Sequence, residues 1–275
     1  MLLSPNAKIN IGLYVTAERP DGYHDIETLF YPLPLCDVLE MVPAADRAGV
    51  AGCRLDLYGH TLEGPAEDNL CVKAYRLLQA DFNLPPVDMA LVKLIPAGGG
   101  LGGGSSDATA TLKGLNTLFD LGLSEVQLGA YAGRLGSDCA FFVRNEPAIG
   151  RGRGELLTPF SLSIKGYYMV LAVPSDHVST AEAYRGIASR RPQRPLEEML
   201  RLPVTAWPGV IENDFERTVF PHHPEIAALK DAFYRAGAVY ASMTGSGAGV
   251  YGLFRKENDL ASRLAGVRLA KGFWL

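Results

Sequence analysis

Six of the seven residues from Gly98 to Gly104 are glycine, and Ser105, Ser106 and Asp107 follow directly. Glycine adopts backbone conformations that other residues avoid and lets the main chain approach a ligand closely. The first N–H groups of a helix have no intrahelical acceptor and carry the positive end of the helix dipole. A glycine run that turns into a helix is therefore a seat for phosphate. The run contains Gly98-x-Gly100-x-x-Gly103, but a stretch this rich in glycine matches many glycine patterns. A dinucleotide fold would also need a second strand carrying an acid about 20 residues on, which does not follow. Walker A is absent as well, because no Gly-Lys-Ser/Thr closes the run and Lys113 falls inside the helical pattern.

Other chemistry-bearing residues flank this seat. Lys8 and Asn10 alternate with Ile9 and Ile11, so an ammonium and an amide share one strand face, either toward a site or toward solvent. Arg19-Pro-Asp-Gly-Tyr-His24 is turn chemistry that presents Tyr23 beside His24, as a stacking platform or as a plain hairpin tip. Asp138 stands between a helix-ending Gly136 and the apolar Phe141 and Phe142, either capping a short helix or aimed into a cleft. Gly150-Arg-Gly-Arg-Gly154 is a basic loop near phosphate or a solvated turn, and Thr244-Gly-Ser-Gly-Ala-Gly249 is a second loop suited to close backbone approach.

These groups need elements to hold them. The spacing of Ala108, Leu112, Leu115 and Phe119 predicts a helix after the glycines, capped by Ser105, Ser106 or Asp107 and ended by Gly122. Leu70, Ala74, Leu77 and Leu78 predict another, with Asn69 as its N-cap. Ser124-x-x-Gln127 predicts a capping box ahead of a helix carrying Leu128, Ala132 and Leu135. Helices are also expected from Thr180 and from Pro224 to Gly237. Strands are expected at Ile9–Leu13, Val38–Val42, Cys53–Tyr58, Val87–Leu91, Tyr167–Val173, Val239–Met243 and Val250–Phe254. Loops are expected around Ala44 to Gly52 and from Arg190 to Pro195.

Composition narrows the class. The chain has 275 residues, 48% hydrophobic and 20% charged, and a net charge of −4 gives no electrostatic reason for nucleic acid or an anionic membrane as partner. Cys36, Cys53, Cys71 and Cys139 lack metal spacing, and no basic segment followed by a long apolar run opens the chain. A reduced, cytoplasmic protein with a small-molecule ligand is expected.

In chain order, Pro5-Asn-Ala-Lys-Ile-Asn10, Pro96 to Ala108 and Thr244 to Gly249 resemble the three motifs of the kinase superfamily that includes galactokinase, homoserine kinase, mevalonate kinase and phosphomevalonate kinase. With Arg19 to His24, Gly136-Ser-Asp138 and Gly150 to Glu155 added, the chain is similar to the branch whose acceptor is a cytidine diphosphate derivative of methylerythritol. The resemblance implies an α+β fold of two domains, with an ATP-binding and catalytic part over 1–157, a substrate-binding part over 158–275, and the active site in the cleft between them. It implies ATP-dependent phosphorylation of the acceptor's 2-hydroxyl, with Asp138 as catalytic base and Lys8 as its cationic partner.

The same resemblance implies that Pro96, Gly98, Gly99, Gly100, Leu101, Gly102, Gly103, Gly104, Ser105 and Ser106 hold the triphosphate. Mg²⁺ would accompany it, with Ser105 or Ser106 offering a hydroxyl, and Asn69 and Lys93 would lie near the nucleotide. Tyr23 would stack on the cytosine with Tyr184 as second wall, His24 would hydrogen-bond the base, and Asn10 would meet the acceptor near its reacting end. Thr244 and Gly245 would support the acceptor. Two departures stand out: Cys139-Ala140 replaces Val-Pro after the catalytic Asp, and Asn6 is inserted between Pro5 and Ala7. A kinase for another small alcohol and a catalytically silent nucleotide-binding protein are the alternatives.

Overall fold

β1 (Leu2–Leu3) and β2 (Asn6–Glu18) open the chain, and a turn at Pro20–Gly22 reverses it into β3 (His24–Cys36). These coordinates are a computed structural model that describes residues 1–44, 52–61, 64–174, 178–256, 260–265, 267 and 271–275. Most of the loop expected between Ala44 and Gly52 lies outside the described residues. The turn is closed by Arg19 N–H donating to Tyr23 O at 2.8 Å. β3 has no counterpart among the expected strands, because Pro32 and Pro34 remove two backbone donors and argue against a ladder.

β4 (Val38–Pro43), β5 (Cys53–Gly59), α1 (Leu70–Gln79) and β6 (Val87–Lys93) follow close to their expected bounds. β6 alternates buried and half-buried residues, pairing antiparallel with β4 and parallel with β5. Next come α2 (Gly103–Leu118), α3 (Glu125–Leu135) and the short α4 (Phe141–Arg144). The capping box forms as spaced, with Ser124 N–H donating to Gln127 Oε1 at 3.0 Å and Gln127 N–H to Ser124 Oγ at 3.4 Å.

The remaining elements are β7 (Ala148–Arg151), β8 (Leu156–Pro159), β9 (Tyr168–Ala172), α5 (Thr180–Tyr184), α6 (Leu196–Leu200) and α7 (Glu216–Val219). They are followed by α8 (Pro224–Arg235), β10 (Tyr240–Met243), β11 (Val250–Phe254), α9 (Leu260–Arg263) and β12 (Lys271–Trp274). Pro224 sits in the first turn of α8, where its missing N–H costs nothing.

The chain forms two compact units. The first gathers Met1–Lys8, Pro32–Ala97 and Gly102–Glu146; the second gathers Ile9–Tyr31, Gly98–Leu101 and Pro147–Leu275. In the first, a sheet of order β1-β4-β6-β5 supports α1, α2 and α3, and its core joins Leu39, Met89 and Leu91 to Tyr75, Leu112 and Leu128. In the second, a sheet of order β10-β11-β9-β12 packs its apolar residues with Phe215, Phe233 and Ile226. The sheet of order β2-β3-β7-β8 belongs mostly to the second unit. No helix of the described residues is long and apolar enough to cross a membrane.

Candidate active site

In the first unit, α2 starts earlier than the serines and acid suggest. Its N-cap is Gly102, at φ 68° and ψ 16°, with no side-chain cap, and Ser106 N–H donating to Gly102 O at 2.9 Å is the first helical bond. Gly103, Gly104 and Ser105 thus carry N–H groups without intrahelical acceptors. Only a glycine fits at 102: φ is left-handed, and a Cβ there would stand 3.0 Å from Lys8 Cε and 3.1 Å from Phe142 Cζ. With the cap left to Gly102, neither serine caps the helix: Ser105 is half-buried with its hydroxyl beside the Cys139 thiol, and Ser106 is buried in the first turn. Asn69 does act as N-cap of α1, its Oδ1 accepting from Cys71 N–H at 2.9 Å, and Leu70 beside it reaches within 3.7 Å of where a Gly104 Cβ would lie. Pro96 ends the approach to the glycines in this unit.

Lys8 and Asp138 also meet in the first unit, Lys8 Nζ standing 3.1 Å from Asp138 Oδ2. Lys8 is only 3% exposed, so its strand face is not solvated, while the Asp138 side chain stays 33% exposed. Asp138 does not cap α4, whose N-cap is Ala140. Its turn is tied to α2 instead, because the Thr109 hydroxyl is placed 2.8 Å from Cys139 O and 3.0 Å from Ser105 O. Burial pushes the Cys139 thiol up to about 11, so the residue that departs from the family pattern is an inert space-filler. The inserted Asn6 also has a partner, Asn145 Nδ2 donating to its Oδ1 at 2.6 Å. An ammonium and a half-open carboxylate in contact can take a proton from a hydroxyl and stabilise the oxygen left behind.

Lys93 lies behind this arrangement, 3% exposed, paired with Asp37 and, at 2.5 Å, with Asp107. Asp37 also accepts from the N–H groups of Leu94 at 2.6 Å and Ile95 at 2.8 Å. Burial pushes the Asp107 carboxyl up to about 7, with Lys93 opposing and Asp37 reinforcing that rise. Burial pulls Lys93 down, yet Asp107 and Asp37 together hold it above its ordinary value. A Cβ at Gly103 would stand 3.3 Å from Lys93 Nζ, so this ammonium underpins the start of α2. Asp37 and Thr109 give no local signal in the sequence, and Asp107 reads there only as a cap, since their partners are 56, 30 and 14 residues away.

The second unit holds Gly98–Leu101 against the loop Thr244–Gly249. Thr244, wholly buried, accepts from Asn10 N–H at 3.0 Å through Oγ1, and its hydroxyl is 3.4 Å from Gly100 O. Asn213 Nδ2 donates to both Met243 O and Gly245 O at 2.9 Å, fixing that loop. Gly245 reaches φ 59° with Gly100 Cα 3.1 Å from its Cβ position. Gly100 is the tightest point, at φ 70° with Thr244 O 2.0 Å from any added Cβ. Replacing it by alanine should destabilise the chain by about 1–3 kcal/mol from overpacking alone and raise the KM for ATP. Denaturant titration and ATP saturation curves check this, and wild-type values in both would remove Gly100 from the cradle.

Asn10, 2% exposed, donates from Nδ2 to Thr28 Oγ1 at 3.0 Å. Tyr23 is 56% exposed on its turn, positioned by Asp21 Oδ1 accepting its N–H at 3.1 Å. The His24 ring lies 4.9 Å from that of Tyr184, which meets Phe215 edge-on at 4.7 Å.

A glycine-headed helix N-terminus and a Lys–carboxylate pair thus lie side by side in the first unit, and two family models match the chain. GHMP kinases N terminal domain matches residues 69–146, and GHMP kinases C terminal matches residues 193–268. The chain belongs to the GHMP kinases, which are ATP-dependent small-molecule kinases. Within them it belongs to the 4-diphosphocytidyl-2-C-methyl-D-erythritol kinase family: it is 50% identical over 262 residues to the protein so named from Bacteroides thetaiotaomicron, with 94% of each chain covered. To that of Porphyromonas gingivalis it is 43% identical over 263 residues, again with 94% of each covered. A crystal structure of 4-(cytidine 5'-diphospho)-2C-methyl-D-erythritol kinase superposes with a TM-score of 0.79 at 32% identity, covering 99% of this chain and 98% of that one. The mevalonate kinase of Methanococcus jannaschii shares the fold, with a TM-score of 0.68 at 15% identity over 99% of this chain and 96% of that one.

Proposed function

We infer that the chain transfers the γ-phosphoryl group of ATP to the 2-hydroxyl of 4-diphosphocytidyl-2-C-methyl-D-erythritol, a step in the non-mevalonate supply of isoprenoid precursors. The Lys8–Asp138 contact of 3.1 Å, in a chain half identical to a relative of that name, carries the reading. Asp138 accepts the hydroxyl proton, the acceptor oxygen bonds to the γ-phosphorus, and the bond from that phosphorus to the β,γ-bridging oxygen breaks, releasing ADP. Lys8 neutralises charge on the acceptor oxygen. Gly98 to Gly104 and the N–H groups opening α2 hold the triphosphate, with Pro96, Leu101 and Asn69 lining the nucleotide site.

The hydroxyls of Ser105 and Ser106 are hard oxygen donors at that helix start. They suit a Mg²⁺ that keeps several waters and rests mainly on nucleotide phosphates. Lys93 serves the nucleotide through the helix start it supports. On the acceptor side, Tyr23 stacks on cytosine, His24 hydrogen-bonds it, Tyr184 backs His24, and Asn10, Thr244 and Gly245 hold the reacting end. The two family models match on either side of a division at 157/158, which supports catalytic and acceptor-binding parts over 1–157 and 158–275. The enzyme so read works in the cytoplasm on a small molecule.

ATP consumption with the cytidyl substrate, and none with mevalonate or homoserine, is the expected result. The reverse preference overturns the reading. Tyr23→Ala and His24→Ala should each raise the KM for the cytidyl substrate about tenfold, the loss of roughly one stacking or hydrogen-bond contribution. Unchanged KM values would favour a different small alcohol.

A further inference from the structure

The turn Gly150 to Gly154 carries two arginines, and the structure treats them differently. Gly152 and Gly154 take φ values of 67° and 109°, Gly152 O accepts from Ile26 N–H at 2.7 Å, and Gly154 N–H donates to Arg151 O at 3.0 Å. The turn is therefore built, not slack. Arg151 reaches Glu27 at 2.8 Å and also pairs with Glu197. Arg153 instead lies exposed, its guanidinium carbon 4.9 Å from the centre of the Tyr23 ring.

Cations around Tyr23 differ in the same way. Arg19 faces Asp21 at 3.2 Å and Asp25 at 3.0 Å, and Arg151 has its two glutamates. Arg153 makes no ion pair or hydrogen bond among the described residues, so its five donors are uncommitted.

We propose that Arg153 is a specificity-determining residue of the acceptor site, stacked on Tyr23 so that its guanidinium meets the diphosphate joining cytidine to the polyol. This rests on the cytidyl-substrate reading. A base stacked on Tyr23 brings its 5′-diphosphate within reach of a side chain already resting on that ring. A diphosphate esterified at both ends presents two negative charges, and a planar guanidinium can stack on an aromatic face while its edge donates in parallel to phosphate oxygens. A lysine offers the charge without the fork. Stacking also holds the side chain near its working position before the ligand arrives, which lowers the ordering cost of binding. The turn glycines set where the guanidinium starts, and Arg151, clamped to Glu27 and Glu197, keeps the strand end from moving with it.

The test is steady-state kinetics of full-length wild type, Arg153→Ala and Arg153→Lys, with CDP and cytidine as competitive inhibitors. Arg153→Ala should raise the KM for the cytidyl substrate about tenfold, the effect of losing one charge-assisted hydrogen bond, while the KM for ATP stays within about twofold. CDP should weaken as an inhibitor by the same factor, whereas cytidine should not change, and Arg153→Lys should recover part of the loss. Unchanged KM and CDP inhibition overturn the assignment. Equal losses for CDP and cytidine overturn it too, since Arg153 would then act only through the shape of the base site. A wild type that neither phosphorylates the cytidyl substrate nor responds to CDP would overturn the parent reading itself.

Discussion

Asp138→Asn should lower kcat by at least about 100-fold, the lower end of what a positioned general base contributes. The amide keeps the size and nearly the shape of the carboxylate but cannot accept the hydroxyl proton. The change alters none of the N–H groups opening α2 and keeps a side chain of the same size against Lys8, which packs under the Gly102 cap, so ATP affinity should move far less than kcat. The effect must therefore appear in turnover and not in ATP binding. Because Lys8 is buried and loses its carboxylate partner, a melting curve belongs beside the kinetics to separate lost chemistry from lost fold. A variant with near-normal turnover would take Asp138 out of the reaction. A variant that loses ATP binding and melts early would make the contact with Lys8 mainly structural.

The second large effect concerns stability. Lys93 stands between two carboxylates, Asp37 at 0% and Asp107 at 3% side-chain exposure. Removing a buried partner leaves an uncompensated charge, at a cost of about 3–5 kcal/mol. Lys93→Met fills similar volume and leaves two acids facing each other, so it should reach that range in urea titration. Adding Asp107→Asn should recover part of the loss, because one of the opposed charges disappears. Asp107 is the acid to change, since Asp37 also accepts the backbone N–H groups of Leu94 and Ile95, just beyond β6. The single variant should raise the KM for ATP as well, given how near Lys93 Nζ comes to Gly103. A single variant within about 1 kcal/mol of wild type, the ordinary size of a point substitution, would show that the cluster contributes little.

The sequence is informative where chemistry and spacing are local. Alternation placed β6, helical spacing placed α1, α3 and α8, and the capping box at Ser124 and Gln127 formed as read. Glycine density marked the entry to a helix, but that helix starts at Gly103, because a left-handed glycine outcompetes serine as the entry point. β3 was hidden by Pro32 and Pro34, which a strand can accommodate where neighbours do not need their N–H. Lys8 and Asn10 could have faced water. Their burial follows from pairing with Asp138, Thr28 and Thr244, residues 130, 18 and 234 positions away, which no local pattern encodes. Asp37 and Thr109 carry no local signal for the same reason, Asp107 reads in the sequence only as a helix cap, and the basic turn that carries Arg153 gives no sign of its contact with Tyr23, 130 residues earlier.

The interleaving of segments also bears on how the chain can be made. The last segment of the first unit ends at Glu146, so that unit has all its residues while more than 100 are still to be synthesised. Ile9–Tyr31 and Gly98–Leu101, by contrast, must wait for Pro147–Leu275 before the second unit can close. On the ribosome, where N-terminal portions tend to fold first, these early pieces are held in a partly folded chain until its end emerges. A gene split after Glu146 would strand them with the wrong half, and the two fragments should regain function only when they are expressed together.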